Sequence, residues 1–136
     1  MSFEDFGKVS FVSETKVEGF VENLKKGRIM ATRCEDCGEL HFPPKMDCSN
    51  CLSSDVHWEE LNGKAKLLSY TKVNFGLPDF KDDVPYVLAV AKCEEGVNVL
   101  SHLEGVDESE VEIGMDLVLE PKELPDDRIT YRFKKA

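Results

Sequence analysis

RCEDCGELHFPPKMDCSNC, residues 33–51, holds four of the chain's five cysteines as two Cys-x-x-Cys pairs, Cys34/Cys37 and Cys48/Cys51, ten residues apart. Zinc favours four soft or nitrogen donors in a tetrahedron, and two such turns supply four thiolates. In each knuckle the backbone amides point at the sulfurs and offset their charge. Gly38, directly after Cys37, suits the dihedrals a knuckle needs. Leu52 stands at the equivalent place after Cys51, so the second knuckle is expected to be more strained. The spacer is long enough for a hairpin excursion, stiffened by Pro43 and Pro44. All four ligand positions are filled, which predicts a structural Zn2+ site rather than a catalytic one, iron being the alternative metal. A thioredoxin-like redox site needs one such pair beside a βαβ unit, and that pattern is absent.

The flanks read as strands. RIMATR (28–33) enters the first pair and VHWEEL (56–61) leaves the second, which makes residues 28–61 a zinc ribbon. Upstream, Val17, Phe20, Val21 and Leu24 fall at i, i+3, i+4 and i+7 and predict a helix over 14–26. Ser13 or Thr15 would cap its start and Gly27 its end. The N-terminal segment is therefore 1–27.

Downstream the period changes to two. In KAKLLSYTKVNF (64–75), Ala65, Leu67, Ser69, Thr71, Val73 and Phe75 alternate onto one face. YVLAVAKC (86–93) and VNVLSHL (97–103) form a hairpin, and DLVLEPK (116–122) and ITYRFKK (129–135) add two strands. Residues 76–85 read as a loop, and 104–114 as a solvated turn or short helix. Five strands with short connections predict a closed antiparallel OB-type barrel over 62–136, a small open sandwich being the alternative. The fold class is thus mainly β: N-terminal helix, zinc ribbon, then five-stranded OB-type barrel. Cys93 shares a strand face with Val87, Ala89 and Ala91 and reads as a buried core thiol.

The whole chain is 136 residues with a net charge of −10, spread over both halves. Nucleic-acid binders present basic faces, so this balance argues against DNA or RNA as partner. No apolar run is long enough to cross a bilayer and no secretory leader is visible, which predicts a soluble, cytoplasmic protein. No nucleophile elbow, zinc-protease helix, P-loop or dinucleotide motif occurs. His41, His57 and His102 read as surface or locally bonded side chains. The chain is expected to have no catalytic residues, and to bind or assemble rather than react.

The order of helix, RCEDCGELHFPPKMDCSNC, WEELNG, a strand carrying SYTKV, PYVLAV and EEGVNVLSHL resembles a known family. It is similar to the zinc-ribbon (rubredoxin-like) plus OB-fold family of acyl-CoA metabolism in archaea and bacteria, from about residue 14 to about residue 122. The resemblance implies a non-catalytic subunit in a hetero-oligomer with a thiolase-like enzyme. Examples are acetoacetyl-CoA thiolase working with 3-hydroxy-3-methylglutaryl-CoA synthase, and degradative β-ketoacyl-CoA thiolases. It implies that the small subunit binds acyl-CoA or completes the channel for the CoA arm. Lys64, Lys66, Tyr70, Phe75 and Tyr86 are candidates for that contact by strand position. Phe42, Pro43 and Pro44 form a candidate partner-contacting tip, with packing of the ribbon on the barrel as the plainer reading. The competing functions are a nucleic-acid-binding ribbon/OB module and a rubredoxin-like electron carrier.

Overall fold

The computed structural model of the chain describes residues 3–10 and 15–136. A 3-10 turn at Phe3–Asp5 is followed by helix α1 (Gly19–Lys25). Strands β1 (Ile29–Cys34), β2 (Leu40–His41) and β3 (Val56–Leu61) form one antiparallel sheet in the order β2-β1-β3. Strands β4 (Lys64–Val73), β5 (Tyr86–Cys93), β6 (Asn98–Glu104), β7 (Asp116–Leu124) and β8 (Arg128–Lys135) close a barrel in the order β4-β5-β6-β8-β7. The predicted loop holds a 3-10 turn at Pro78–Asp83, and the predicted acidic turn holds another at Glu108–Glu110.

The helix is shorter than the stripe predicted. Lys16, Val17 and Glu18 form a turn, in which Thr15 Oγ1 accepts the Val17 N–H at 3.4 Å. Ser13 lies outside the described residues. The stripe itself is buried, with Phe20, Val21 and Leu24 all at 1% exposure or less. Burial of each such side chain contributes about 1.5–3 kcal/mol, far more than the propensity of a seven-residue helix. The end is a Schellman motif: Arg28 N–H donates to Asn23 O (2.8 Å) and Gly27 N–H to Leu24 O (2.9 Å), with Gly27 at φ +85°. Gly19 inside the helix has a packing reason. A Cβ there would lie 3.3 Å from the Trp58 ring, so glycine lets the helix sit down on β3.

The barrel departs from the predicted alternation at one point and from all-antiparallel pairing at another. Ala65 and Leu67 point into the core, but the β4–β5 register shifts between Leu67 and Ser69. Leu68 is the extra residue of a bulge, so parity flips beyond it. Ser69 and Thr71 are consequently exposed, and Tyr70 takes the face of buried Ala89. The barrel is closed by a parallel seam between β6 and β8, with Leu103 opposite Phe133 and Glu104 opposite Lys134. The other barrel pairings are antiparallel. The barrel core includes Ala65, Leu67, Ala89, Ala91, Cys93, Val99, Leu103, Leu117, Leu119 and Phe133.

Two devices fix the ribbon to the barrel. At the β3–β4 corner the Asn62 backbone N–H donates to Glu95 Oε2 at 2.9 Å, and its side-chain amide donates to Glu94. Gly63 (φ +85°) follows, and a Cβ there would lie 2.7 Å from Leu119 O, so only glycine fits. On the far side an aromatic cluster joins four parts of the chain. Phe20 of α1 packs on Phe3, Phe6, Phe42 of the ribbon spacer and Tyr131 of β8, with ring centroids 5.7–6.4 Å apart. Phe42 also meets Tyr131 edge-on at 5.2 Å.

Candidate functional site

Strand β1 delivers Cys34 into the ribbon and the first knuckle turns back on it, with Gly38 N–H donating to Cys34 O at 3.0 Å. Leu52 N–H makes the matching bond to Cys48 O at 2.9 Å. Arg33 braces the first knuckle: Nε and Nη2 donate to the Glu59 carboxylate (2.9 and 2.8 Å), and Nη1 donates to Gly38 O at 2.7 Å. The spacer is pinned by buried Thr32, whose hydroxyl donates to Lys45 O (2.7 Å) and accepts the Lys45 N–H (2.9 Å). These contacts bring the four Sγ atoms of Cys34, Cys37, Cys48 and Cys51 within 4.8 Å of one another. Cys34–Cys51 is 3.5 Å and Cys37–Cys48 is 3.6 Å. A tetrahedral metal with bonds of about 2.3 Å needs sulfurs about 3.8 Å apart, so the quartet is the right size for one ion.

The electrostatics ask for a cation. The Asn50 amide and the Glu39 backbone N–H hold the Cys37 thiol down at about 7. Cys51 receives the Ser53 backbone N–H, which lowers it, yet the neighbouring sulfurs, Cys34 first, push it up to about 12. Four thiols this close cannot all ionise unless a positive ion shares the site. Leu52 adopts φ +65° where the first knuckle has Gly38 at +78°, so the strain expected from the sequence is present. Leu52 is 84% exposed and contributes little packing. A left-handed conformation costs a non-glycine residue about 1–2 kcal/mol. Leu52→Gly is therefore expected to raise stability by about 0.5–1 kcal/mol after the added freedom of the unfolded chain. An increased thermal midpoint of the metal-loaded protein would show it; an unchanged or lower one would count against strain at this knuckle.

The remaining candidates are placed as follows. Phe42 is turned into the aromatic cluster and Pro44 is buried, so the tip presents mainly Pro43; the Phe42–Pro43 peptide is cis. Lys64 and Lys66 lie on the outer face of β4, with Lys66 opposite Lys92 and ion-paired to Asp116 at 2.7 Å. Tyr86 lies on the outer face of β5, stacked on His102 with centroids 4.5 Å apart. Lys92 and Tyr86 are about 20 Å apart along β5. Tyr70 faces the other way, and Phe75 projects beyond β4 at 92% exposure. These five residues therefore do not converge on one pocket. Among the three histidines, His57 pairs with Glu35, while His41 is buried against Cys48. Cys93 is buried and its thiol is pushed up to about 11, by burial first and Glu95 second, which makes it a poor nucleophile.

No local residue pattern marks the apolar face on the outside of the barrel. Residues paired across strands share a face, so Val90 and Leu100, and Leu88 and His102, form two outward rows. The bulge leaves Leu68 exposed beside the first row, and Ile113 adjoins it through the Gly114 N–H to Leu67 O bond of 2.8 Å. Leu100 is 59% exposed, and Phe75 and Leu77 lie bare beyond the end of β4. The two 3-10 loops carry exposed acids, among them Asp79, Asp82, Glu110 and Glu112. Contiguous apolar side chains on the outside of a domain mark interaction surfaces more often than single scattered ones do.

Comparison with known proteins agrees with both parts. Residues 22–57 match the ChsH2 rubredoxin-like zinc ribbon domain, and residues 58–120 match the ChsH2 C-terminal OB-fold domain. The chain is 34% identical over 111 residues to a DUF35 domain-containing scaffold protein of Methanothermobacter thermautotrophicus, covering 78% of this chain and 84% of that one. It is 28% identical to benzoylsuccinyl-CoA thiolase subunit BbsA of Thauera aromatica, over 76% of this chain and 73% of that one. Among solved structures it superposes on a chain of the Ltp2-ChsH2(DUF35) aldolase with a TM-score of 0.77 at 28% identity. That match covers 93% of this chain and 98% of the other.

Proposed function

We propose that this chain, which belongs to the family of DUF35 domain-containing scaffold proteins, is the non-catalytic subunit of an enzyme complex acting on acyl-CoA. Its partner in this reading is a thiolase-superfamily enzyme. That enzyme is an acetoacetyl-CoA or β-ketoacyl-CoA thiolase, alone or together with 3-hydroxy-3-methylglutaryl-CoA synthase. The ribbon carries a structural Zn2+. The complex works in the cytoplasm, and no helix among the described residues is long and apolar enough to cross a membrane.

The observation that carries the reading is the outward apolar face of β4, β5 and β6. OB barrels bind through this part of the fold, and exposed Leu100 and Leu68 beside Val90 and Leu88 supply a dry centre for an interface. Nucleic acid fits the same face poorly. The lysines sit at one end, Lys66 is neutralised by Asp116, and the chain as a whole is acidic. Support for a CoA enzyme as partner comes from the thiolase-subunit relative. In the assembled complex Lys64 and Lys92 border the face where the phosphates of a CoA nucleotide would need neutralising, while Lys66 beside them is held by Asp116. Phe75 and Tyr86 lie toward the acyl end of the arm, with Pro43 as a separate point of contact.

Tagged protein is expected to recover a thiolase-like chain from the native lysate. Leu100→Glu buries a charge in the interface and is expected to weaken recovery at least about 30-fold, the effect of a central hot spot, while leaving the thermal midpoint near wild type. Recovery of no CoA-dependent enzyme by the wild-type protein would overturn the proposal. Unchanged recovery by Leu100→Glu would move the interface elsewhere.

A further inference from the structure

His41 is the side chain in the ribbon whose position the knuckles do not explain. It lies in the two-residue strand β2, opposite Thr32, and is 7% exposed. Its Nε2 lies 3.3 Å from Cys48 Sγ. Cys48 is itself buried, like Cys34 and unlike Cys37 and Cys51, so water gives its sulfur little help. A buried imidazole nitrogen needs a partner, and here that partner is a metal-binding sulfur.

We infer that His41 is a metal-positioning residue: its Nε2–H donates to the Cys48 thiolate and retains the ion in the ribbon. The inference rests on reading the four cysteines as a metal site. Chemistry then fixes the direction of the bond. A metal-bound Cys48 has lost its hydrogen and can only accept, so the proton of the contact belongs to Nε2. The donated hydrogen draws charge off a site that holds four thiolates around one divalent ion and carries a net charge of −2. The Asn50 amide does the same for Cys37 at 3.6 Å, but from an exposed position where water competes. His41 also stands next to Phe42, which packs on Phe20 and Tyr131, so the donor is held in place from the barrel side. Outer partners of metal ligands commonly change metal affinity by about 10- to 100-fold.

The test uses the full chain loaded with Zn2+. Metal analysis comes first: one zinc per chain is expected, and none would overturn the metal reading itself and this inference with it. Long-range proton–nitrogen spectra of the zinc protein then read the imidazole tautomers, with His57 and His102 as internal references. A proton on His41 Nε2 is expected, and a ring protonated on Nδ1 alone overturns the inference with no mutation involved. Zinc release to a colorimetric chelator is followed in parallel. His41→Phe is expected to release zinc about tenfold faster or more, and His41→Gln, which keeps an N–H donor, is expected to recover much of the difference. Release from His41→Phe at the wild-type rate overturns the inference while leaving the metal site standing.

Discussion

Stripping the metal is expected to unfold the ribbon and leave the barrel intact. Between Cys34 and Val56 the regular structure is one two-residue strand, and the fold there depends on the knuckles. Their backbone–backbone bonds are few: Cys34 N–H to Glu39 O at 2.9 Å, Glu35 N–H to Asp55 O at 2.8 Å, Cys48 N–H to Ser53 O at 2.8 Å, and the two turn bonds. Beyond Cys34 and Cys48, burial in this stretch is limited to His41 and Pro44. Without the cation the four sulfurs cannot all be thiolates, and nothing draws them together at 3.5–3.6 Å. A structural zinc contributes on the order of 10 kcal/mol to a peptide that cannot fold alone. Hydrogen exchange after chelation should therefore show protection lost over residues 34–55 and retained in β4, β5 and β7. Cys48→Ser should reproduce the pattern. Full protection of the ribbon in metal-free protein would show that the quartet is not what holds it.

Phe20→Ala is expected to cost about 3–5 kcal/mol, the upper range for loss of a buried aromatic side chain. The size follows from what the ring touches. Phe3 and Phe6 approach from the N-terminal side, Phe42 from the ribbon and Tyr131 from the barrel. These groups cannot collapse together into the vacancy, because each is anchored on a different element. Helix α1 is only seven residues long and does not persist in isolation. Urea unfolding should show the loss in midpoint, and Phe42→Ala should lose less because its ring is only partly buried. A cost below about 1 kcal/mol for Phe20→Ala would mean that the ribbon and barrel are joined through the Asn62–Gly63 corner alone.

Much of this fold is legible in the residues, and the parts that are not have identifiable causes. The strands at 56–61 and 86–93 are readable to the residue, since a buried or half-buried strand needs a continuous or alternating apolar pattern. The cysteine spacing shows the ribbon because four ligands must converge. The bulge at Leu68 is not readable. KAKLLSYTKV alternates plausibly in either parity, and only the pairing with β5 decides which half is inside. The parallel β6–β8 seam depends on where the last strand returns, which no local pattern encodes. Phe42 on a proline-stiffened excursion has the same sequence signature whether it faces a partner or its own barrel. Gly19 looks like a weak point in a helix until Trp58 is seen against it. The buried His41 and the outward row of Val90 and Leu100 are equally silent. A histidine among cysteines and a leucine in a strand are each commonplace, and their meaning lies in neighbours from other strands.

The strap formed by the first described residues sets an order on biosynthesis. Phe6 bridges to Ile129, Gly7 N–H donates to Ile129 O at 2.6 Å, and the Arg128 guanidinium donates to Gly7 O and Phe6 O. A ribosome adding about 5–20 residues per second makes residues 3–7 several seconds or more before β8 exists. Those residues must wait, with Phe6 lacking its contacts to Ile129 and Tyr131, until β8 has emerged. The ribbon segment is complete well before that, so the joint between residues 6–7 and 128–129 closes after the ribbon can have set.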